Sequence, residues 1–139
     1  MIKDYLYMQI TSSLESLACN NDITLVNAED LSENVPDTAL INTRAVIMNK
    51  QFDINVDYTY RLAHELSHIL YGDKDAQAVY QFSEYGKRGE ELLAHRNAIR
   101  MLMSIEMPSS PFNFMSYYHI PSWLECDVVH TFNECNIVE

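Results

Sequence analysis

Cysteine, glycine and proline are all scarce in this chain of 139 residues, and each shortage excludes a class of protein. Three cysteines, with no Cys-x-x-Cys pair, are too few and odd in number for the disulfide framework of a small secreted domain. Three glycines and four prolines exclude collagen-like and Pro/Gly-rich disordered chains. The composition that remains, 47% hydrophobic and 21% charged, indicates a globular chain with a core of its own.

Positive charge is equally scarce. Nine Lys and Arg residues stand against twenty Asp and Glu residues, which gives a net charge of −11. A phosphate backbone would repel such a chain, so we expect no direct binding to nucleic acid. The same charge favours a basic protein partner or a basic substrate segment.

Long apolar runs are also missing. No stretch approaches the roughly 20 residues of a membrane-spanning helix, and the first residues lack the uninterrupted apolar core of a signal peptide. Together with the sparse cysteines, these shortages predict a cytoplasmic protein that has no contact with a membrane.

The apolar periodicity predicts an α+β fold, with about four helices and a small β-sheet against which one helix packs. Helices are expected over residues 5–17, 57–71, 90–103 and 122–132. Strands are expected over residues 23–26 and within 38–51, best at 45–48. Residues 27–37 and 107–121 are predicted to be loops, and residues 77–82 fit a helix or a strand. We expect a single domain over residues 1–139.

The helix predicted over residues 57–71 carries the sequence His64-Glu65-Leu66-Ser67-His68. Histidines four residues apart lie on one face of a helix, so both rings can reach one ion, and neutral imidazole is a preferred ligand of zinc. Glu65 lies beside the pair, where its carboxylate can act as a general base toward water. The alternative is an ordinary helix with two exposed or hydrogen-bonded histidines.

A catalytic zinc site needs a third protein ligand, and the helix over residues 90–103 offers Glu91. Helical projection places Glu91 on the apolar face with Ala94 and Ala98, where an unpaired carboxylate would be costly and a metal ion would remove that cost. Glu90 projects toward the polar face and is the weaker candidate. The alternative is that Glu91 binds no metal and is an acidic residue of the first helical turn, where the helix dipole favours negative charge.

Further side chains are candidates for supporting roles. His95, one turn after Glu91, could orient that residue, contact substrate, replace Glu91 as a ligand, or be an ordinary core or surface histidine. Tyr71 and His119 are candidates for stabilising an oxyanion, although no sequence signal identifies that group. Trp123 is expected at the edge of the core, and Cys126 is expected to be a buried structural residue.

Two segments resemble the ImmA/IrrE family of metallopeptidases: RLAHELSHILYGD at residues 61–73 and EELLAHRNAIRMLMS at residues 90–104. That family carries an HExxH helix that ends in L-x-G, and a later helix with E-x-x-A. The resemblance covers about residues 45–108. It implies a zincin-like fold that binds Zn²⁺ through His64, His68 and Glu91, with Glu65 as the base. Ser67 departs from the family's usual glycine, and His95 departs from its usual asparagine.

Members of that family often accompany temperate phages or mobile elements, and they cleave or help to inactivate a helix-turn-helix repressor. The resemblance therefore implies a hydrolase, a zinc endopeptidase that acts on such a transcriptional repressor and so controls lysogeny or gene expression. The alternative function is a non-catalytic binding module that sequesters the repressor. A deformylase-like zinc hydrolase is a weaker alternative, because no upstream cysteine stands in a suitable motif.

Overall fold

The computed structural model describes residues 2–72 and 84–137, which form an α+β fold. The helices are α1 (Ile2–Asn20), α2 (Tyr58–Leu70), α3 (Glu84–Ile105), α4 (Pro111–Tyr118) and α5 (Glu125–Ile137), with a 3₁₀ turn at Ser122–Leu124. The strands are β1 (Thr24–Ala28), β2 (Thr38–Leu40) and β3 (Ala45–Asn49). The predicted α+β fold class is confirmed. Residues 77–82, for which a helix or a strand was predicted, lie outside the described ranges. The single domain over residues 1–139 stays a prediction. Within those ranges, no helix is long and apolar enough to cross a membrane.

The sheet has β3 at its centre, parallel to β1 and antiparallel to β2. Side chains alternate between the two faces of a strand, and Val46 and Met48 of β3 accordingly lie on one face and are fully buried. Helices α1 and α2 both pack on the sheet, α1 against β1 and α2 against β2 and β3. The core therefore lies between the sheet and the helices, as expected for the motif-bearing helix.

Helix α2 has the bounds that its sequence predicted, to within a residue or so. Asp57 caps its first turn by accepting a hydrogen bond from the backbone N–H of Thr59. Leu62 and Leu66, one turn apart, are fully buried and fix one face of the helix in the core. The two histidines of the motif lie on the neighbouring face, which turns toward α3.

Helix α3 begins six residues earlier than predicted, at Glu84 instead of Glu90. Gly86 and Gly89 were expected to interrupt the chain there, but the helix continues through both. A helical glycine costs only about 1 kcal/mol relative to alanine, which tertiary packing can offset. Ala94 and Ala98 are buried where α3 meets α2, and their small side chains let the two helices approach closely.

Helix α4 occupies most of the segment that was predicted to be a loop. Ser110 accepts a hydrogen bond from the backbone N–H of Asn113, and Pro111 stands in the first turn, so these two residues begin a helix. Phe114 and Tyr118, one turn apart, are buried and hold it against the core. The loop prediction was wrong because it read serine and proline as breakers and not as helix-starting residues.

Replacing Gly89 with alanine should stabilise the protein. A Cβ atom at this position would meet no atom of the described residues within 4 Å, and α3 is helical on both sides of it. Because glycine loses more backbone entropy on folding than alanine does, Gly89→Ala should raise the free energy of unfolding by about 0.5–1 kcal/mol, as measured by urea unfolding. Gly89→Pro is the opposing control and should cost about 3 kcal/mol or more. An alanine variant less stable than the parent would contradict a continuous α3.

Candidate metal centre

Helices α2 and α3 bring the three predicted ligands together. Nε2 of His64 lies 3.1 Å from Oε2 of Glu91, and Nε2 of His68 lies 2.9 Å from Oε1 of the same carboxylate. One potential ligand atom from each residue lies within 4.8 Å of the others. Ligand atoms around a tetrahedral zinc ion, at bond lengths of about 2.0–2.1 Å, are separated by about 3.3 Å. The three residues therefore fit a metal ion with little rearrangement.

The cluster is buried on one side and open on the other. His64 and His68 are each 8% exposed, and their rings meet edge to face. The side chain of Glu91 is 37% exposed. Glu91 therefore forms the solvent-facing side of the group, the side on which water or a substrate can reach it.

Both ring nitrogens of His68 face carboxylates, because Nδ1 lies 3.3 Å from Oε1 of Glu90 while Nε2 faces Glu91. A neutral imidazole has only one N–H and cannot donate to both carboxylates, whereas a protonated ring donates to both and a bound cation can replace the proton on Nε2. Burial opposes protonation of His68, but its hydrogen bonds with Glu91 and Glu90 and the charges of Glu91 and Glu65 together outweigh burial and raise its pKa. Burial likewise opposes ionisation of Glu91, but its hydrogen bonds with His64 and His68 hold its pKa well below the usual range.

Glu65 lies next to His64 on α2 and is partly buried. This burial raises the pKa of the carboxyl to about 8, the positive field of His68 opposes the rise, and the charge of Glu91 adds to it. One turn earlier on α2, Arg61 forms an ion pair with Asp37 at 2.9 Å. Glu65 is thus a partly buried carboxyl group beside a potential metal ligand, His64, and burial favours its neutral form.

His95 forms one wall of the site. Its ring centroid lies 4.2 Å from that of His64, and its Nδ1 lies 2.8 Å from the hydroxyl of Tyr60. Burial lowers the pKa of His95 to about 4 and raises the pKa of Tyr60 above its usual range. Both groups are therefore neutral, and the phenol hydroxyl and Nδ1 share one hydrogen bond.

The sequence did not predict the aromatic residue beyond His95. The ring of Trp123 meets His95 edge to face at 5.2 Å, and its side chain is 64% exposed. The expectation that Trp123 packs at the core edge was therefore wrong, since the 3₁₀ turn at Ser122–Leu124 buries Leu124 and leaves Trp123 outside. Cys126 is likewise exposed and not buried, because α5 turns Val128 and Thr131 inward.

Tyr71 and His119 are both exposed. Tyr71 follows the last residue of α2, and His119 ends α4 with a left-handed backbone, φ 56°. Neither belongs to the group formed by His64, His68 and Glu91. Their assignment as oxyanion-stabilising residues stays a prediction.

The helical projection misjudged the relative burial of the two adjacent glutamates. The side chain of Glu90 is only 2% exposed, against 37% for Glu91. Glu90, Ala94 and Ala98 follow one another at intervals of four residues, and all three are buried. The buried face of α3 is therefore wider than the apolar residues alone indicated. The spacing of these three residues, at positions i, i+4 and i+8, was the sequence signal that could have predicted the burial of Glu90.

No protein-family model, curated protein or solved structure matches this chain. The resemblance to the ImmA/IrrE metallopeptidases therefore rests on the motif residues themselves. Of the two departures from that pattern, Ser67 is accommodated within α2, where it is buried and its hydroxyl donates to the carbonyl oxygen of Ala63 at 2.7 Å. The other departure, His95, forms the wall of the site.

Purified protein loaded with Zn²⁺ should retain about one ion per chain. His68→Ala should abolish this retention, because it removes one of three converging ligand atoms. His130→Ala is the matched control, since His130 is an exposed histidine of α5 near Glu134. Metal analysis after dialysis measures retention, and thermal unfolding should show stabilisation of about 2.7 kcal/mol when zinc is 100-fold above its dissociation constant. Equal retention by the parent and His68→Ala would refute the site.

Zinc affinity should fall as the pH decreases. Because the pKa of His68 is raised in the absence of metal, this ring keeps a proton to a higher pH than an ordinary histidine does. Zinc binds only the neutral imidazole, so binding must release that proton. Calorimetry in buffers of different ionisation enthalpy should detect the release at about pH 6.5 and less of it at about pH 8. A constant affinity over this interval would contradict the ligand role of His68.

Proposed function

We propose that the protein is a zinc-dependent endopeptidase in which His64, His68 and Glu91 hold Zn²⁺ and Glu65 is the general base. The observation that carries the proposal is the position of Glu65. It is a partly buried acid with its pKa raised to about 8, next to a convergent His–His–Glu group. A purely structural metal site has no use for such an acid, whereas hydrolysis requires one.

The chemistry divides between the ion and the protein. A bound zinc ion supplies Lewis acidity, which lowers the pKa of water and polarises a carbonyl group. Glu65 takes the proton from the attacking water and then gives it to the nitrogen of the departing amine, so that its carboxylate is regenerated. A pKa near the operating pH suits both transfers.

His95 is suited to contact the substrate. The hydroxyl of Tyr60 contacts its Nδ1, and when that hydroxyl is the donor, Nε2–H is a neutral donor at the wall of the site. Such a donor can stabilise negative charge that develops on a carbonyl oxygen. The exposed face of Trp123 extends the same wall and offers an apolar surface for a substrate side chain.

The edge strand β2 supports a peptide as the substrate. Among the described strands β1 and β2 are the two edges, and β2 pairs only with β3, so an extended peptide could add to its other side. Asp37 directly precedes β2 and binds Arg61, one turn before Glu65 on α2. This ion pair ties the beginning of the edge strand to the helix that carries the general base.

The proposed substrate is a helix-turn-helix transcriptional repressor. Two observations support it: the motif residues resemble those of a family that acts on repressors, and the net charge of −11 suits the basic surface of a DNA-binding protein. Direct binding to nucleic acid is not part of the proposal.

The second candidate function is a binding module that sequesters the same repressor without cleaving it. The observation that favours it is that a protonated His68 can lie between Glu90 and Glu91. The side chains of the cluster can then form ion pairs with one another without a metal ion. In that case Glu65 contributes nothing to activity, and the acidic surface carries the interaction.

Glu65→Gln should separate the two functions. The amide keeps the shape of the side chain but cannot accept a proton, so cleavage should slow by at least about 100-fold while zinc binding remains. The measurement is the rate at which the zinc-loaded protein cleaves the helix-turn-helix repressor encoded nearest to its own gene. Glu15→Gln, which alters an exposed acid on α1, is the matched control and should cleave at the parental rate.

Equal cleavage by Glu65→Gln and the parent would exclude the proposed mechanism. If neither protein cleaves the repressor but both bind it and relieve its repression, the binding-module function is supported instead.

A further inference from the structure

Glu90 contacts the nitrogen of His68 that faces away from Glu91. Its Oε1 lies 3.3 Å from Nδ1, whereas Oε1 of Glu91 lies 2.9 Å from Nε2 of the same ring. The two acids are consecutive residues of α3, about 100° apart around the helix axis. They therefore reach opposite edges of one imidazole, and His68 is held between them.

The two acids differ in their access to solvent. Glu90 is almost completely buried between α2 and α3, and a carboxylate in such a place is costly unless it accepts hydrogen bonds. The Nδ1–H of His68 supplies one. When that proton is on Nδ1, a neutral ring presents a lone pair at Nε2 toward Glu91, and a metal ion can then lie between the two.

We infer that Glu90 is the positioning residue of the metal centre. It accepts a hydrogen bond from Nδ1–H of His68, fixes the tautomer of that ring and turns Nε2 toward the ion. The inference rests on the proposed metal site. Carboxylates that bond to a ligand imidazole in this way hold its orientation and make it a stronger ligand.

The two histidines proposed as ligands differ in the contacts of their Nδ1 atoms. Nδ1 of His64 is buried and has no hydrogen-bond partner in the part of the chain that the structure describes. Glu90 is also not a fourth ligand, because the ligand atoms converge from His64, His68 and Glu91. Removing the charge of Glu90 should therefore weaken one ligand without abolishing the site.

Glu90→Gln tests this role by removing the charge at constant shape. The zinc dissociation constant should rise about 10- to 100-fold, while the far-UV circular dichroism spectrum stays that of the parent. The visible spectrum of the Co²⁺-loaded protein should also shift, because one ligand ring loses its fixed orientation. Glu134→Gln, which removes an exposed acid paired with Arg100, is the matched control and should change neither readout. Glu91→Gln should lose stoichiometric zinc.

The outcomes separate the inference from the proposed function. If the parent binds zinc and Glu90→Gln binds it equally tightly with the same Co²⁺ spectrum, the positioning role is wrong. If Glu90→Gln loses stoichiometric zinc as Glu91→Gln does, Glu90 is itself a ligand and the inference is also wrong. A parent that binds no zinc overturns the proposed function and the inference with it.

A measurement on the parent protein does not depend on how the variant folds. Nitrogen NMR of the zinc-loaded chain labelled at histidine reports which ring nitrogen carries the proton. His68 should show a protonated Nδ1 whose hydrogen exchanges slowly with solvent, because Glu90 buries it. A proton on Nε2, or a rapidly exchanging one on Nδ1, would overturn the inference.

Discussion

Two buried imidazoles, one buried carboxylate and one partly exposed carboxylate meet where α2 packs against α3, and this constraint organises the rest of the site. Each of these groups would be costly in an apolar interface without a partner. Paired as they are, they satisfy one another, with one carboxylate bridging both rings and the other holding the far side of His68. The small side chains of Ala94 and Ala98 permit this arrangement, because they let the two helices come close enough for the four groups to meet.

A second polar network anchors α2 from the side of the sheet. Asp37 accepts hydrogen bonds from Arg61 and from the backbone N–H of Asn49 at the end of β3. The buried amide of Asn49 in turn donates to the carbonyl oxygens of Ser32 and Val35. The loop before β2, the central strand and the motif helix are thereby fixed to one another. Glu65, the proposed general base, extends from a helix whose position is set on both sides.

How much of the fold and of the site the sequence could predict depends on how far apart in the sequence the interacting residues lie. The spacing of His64 and His68 is a property of one helix, and the sequence predicted it directly. Glu91 followed from projecting a second helix, which brought the correct carboxylate to the histidines but assigned the deeper burial to the wrong glutamate. That burial depends on how far α3 rotates against α2, which no local pattern specifies. Helix α4 was missed for a different reason. Serine and proline are common both in loops and at the start of a helix, so composition alone did not distinguish the two.

The number of converging potential ligands supports the proposed catalytic role of a metal over a purely structural one. Structural zinc is closed by four protein ligands, whereas a catalytic ion keeps one position for water. In the described part of the chain the convergent group has three members, and the exposed cysteines Cys19 and Cys126 are not among them. The partly exposed member, Glu91, lies on the open side, and the neutral ring of His95 forms the neighbouring wall. Glu65, the proposed base, is the neighbour of His64 on α2 and so belongs to the same helix as two of the three potential ligands, an arrangement that a binding module does not require.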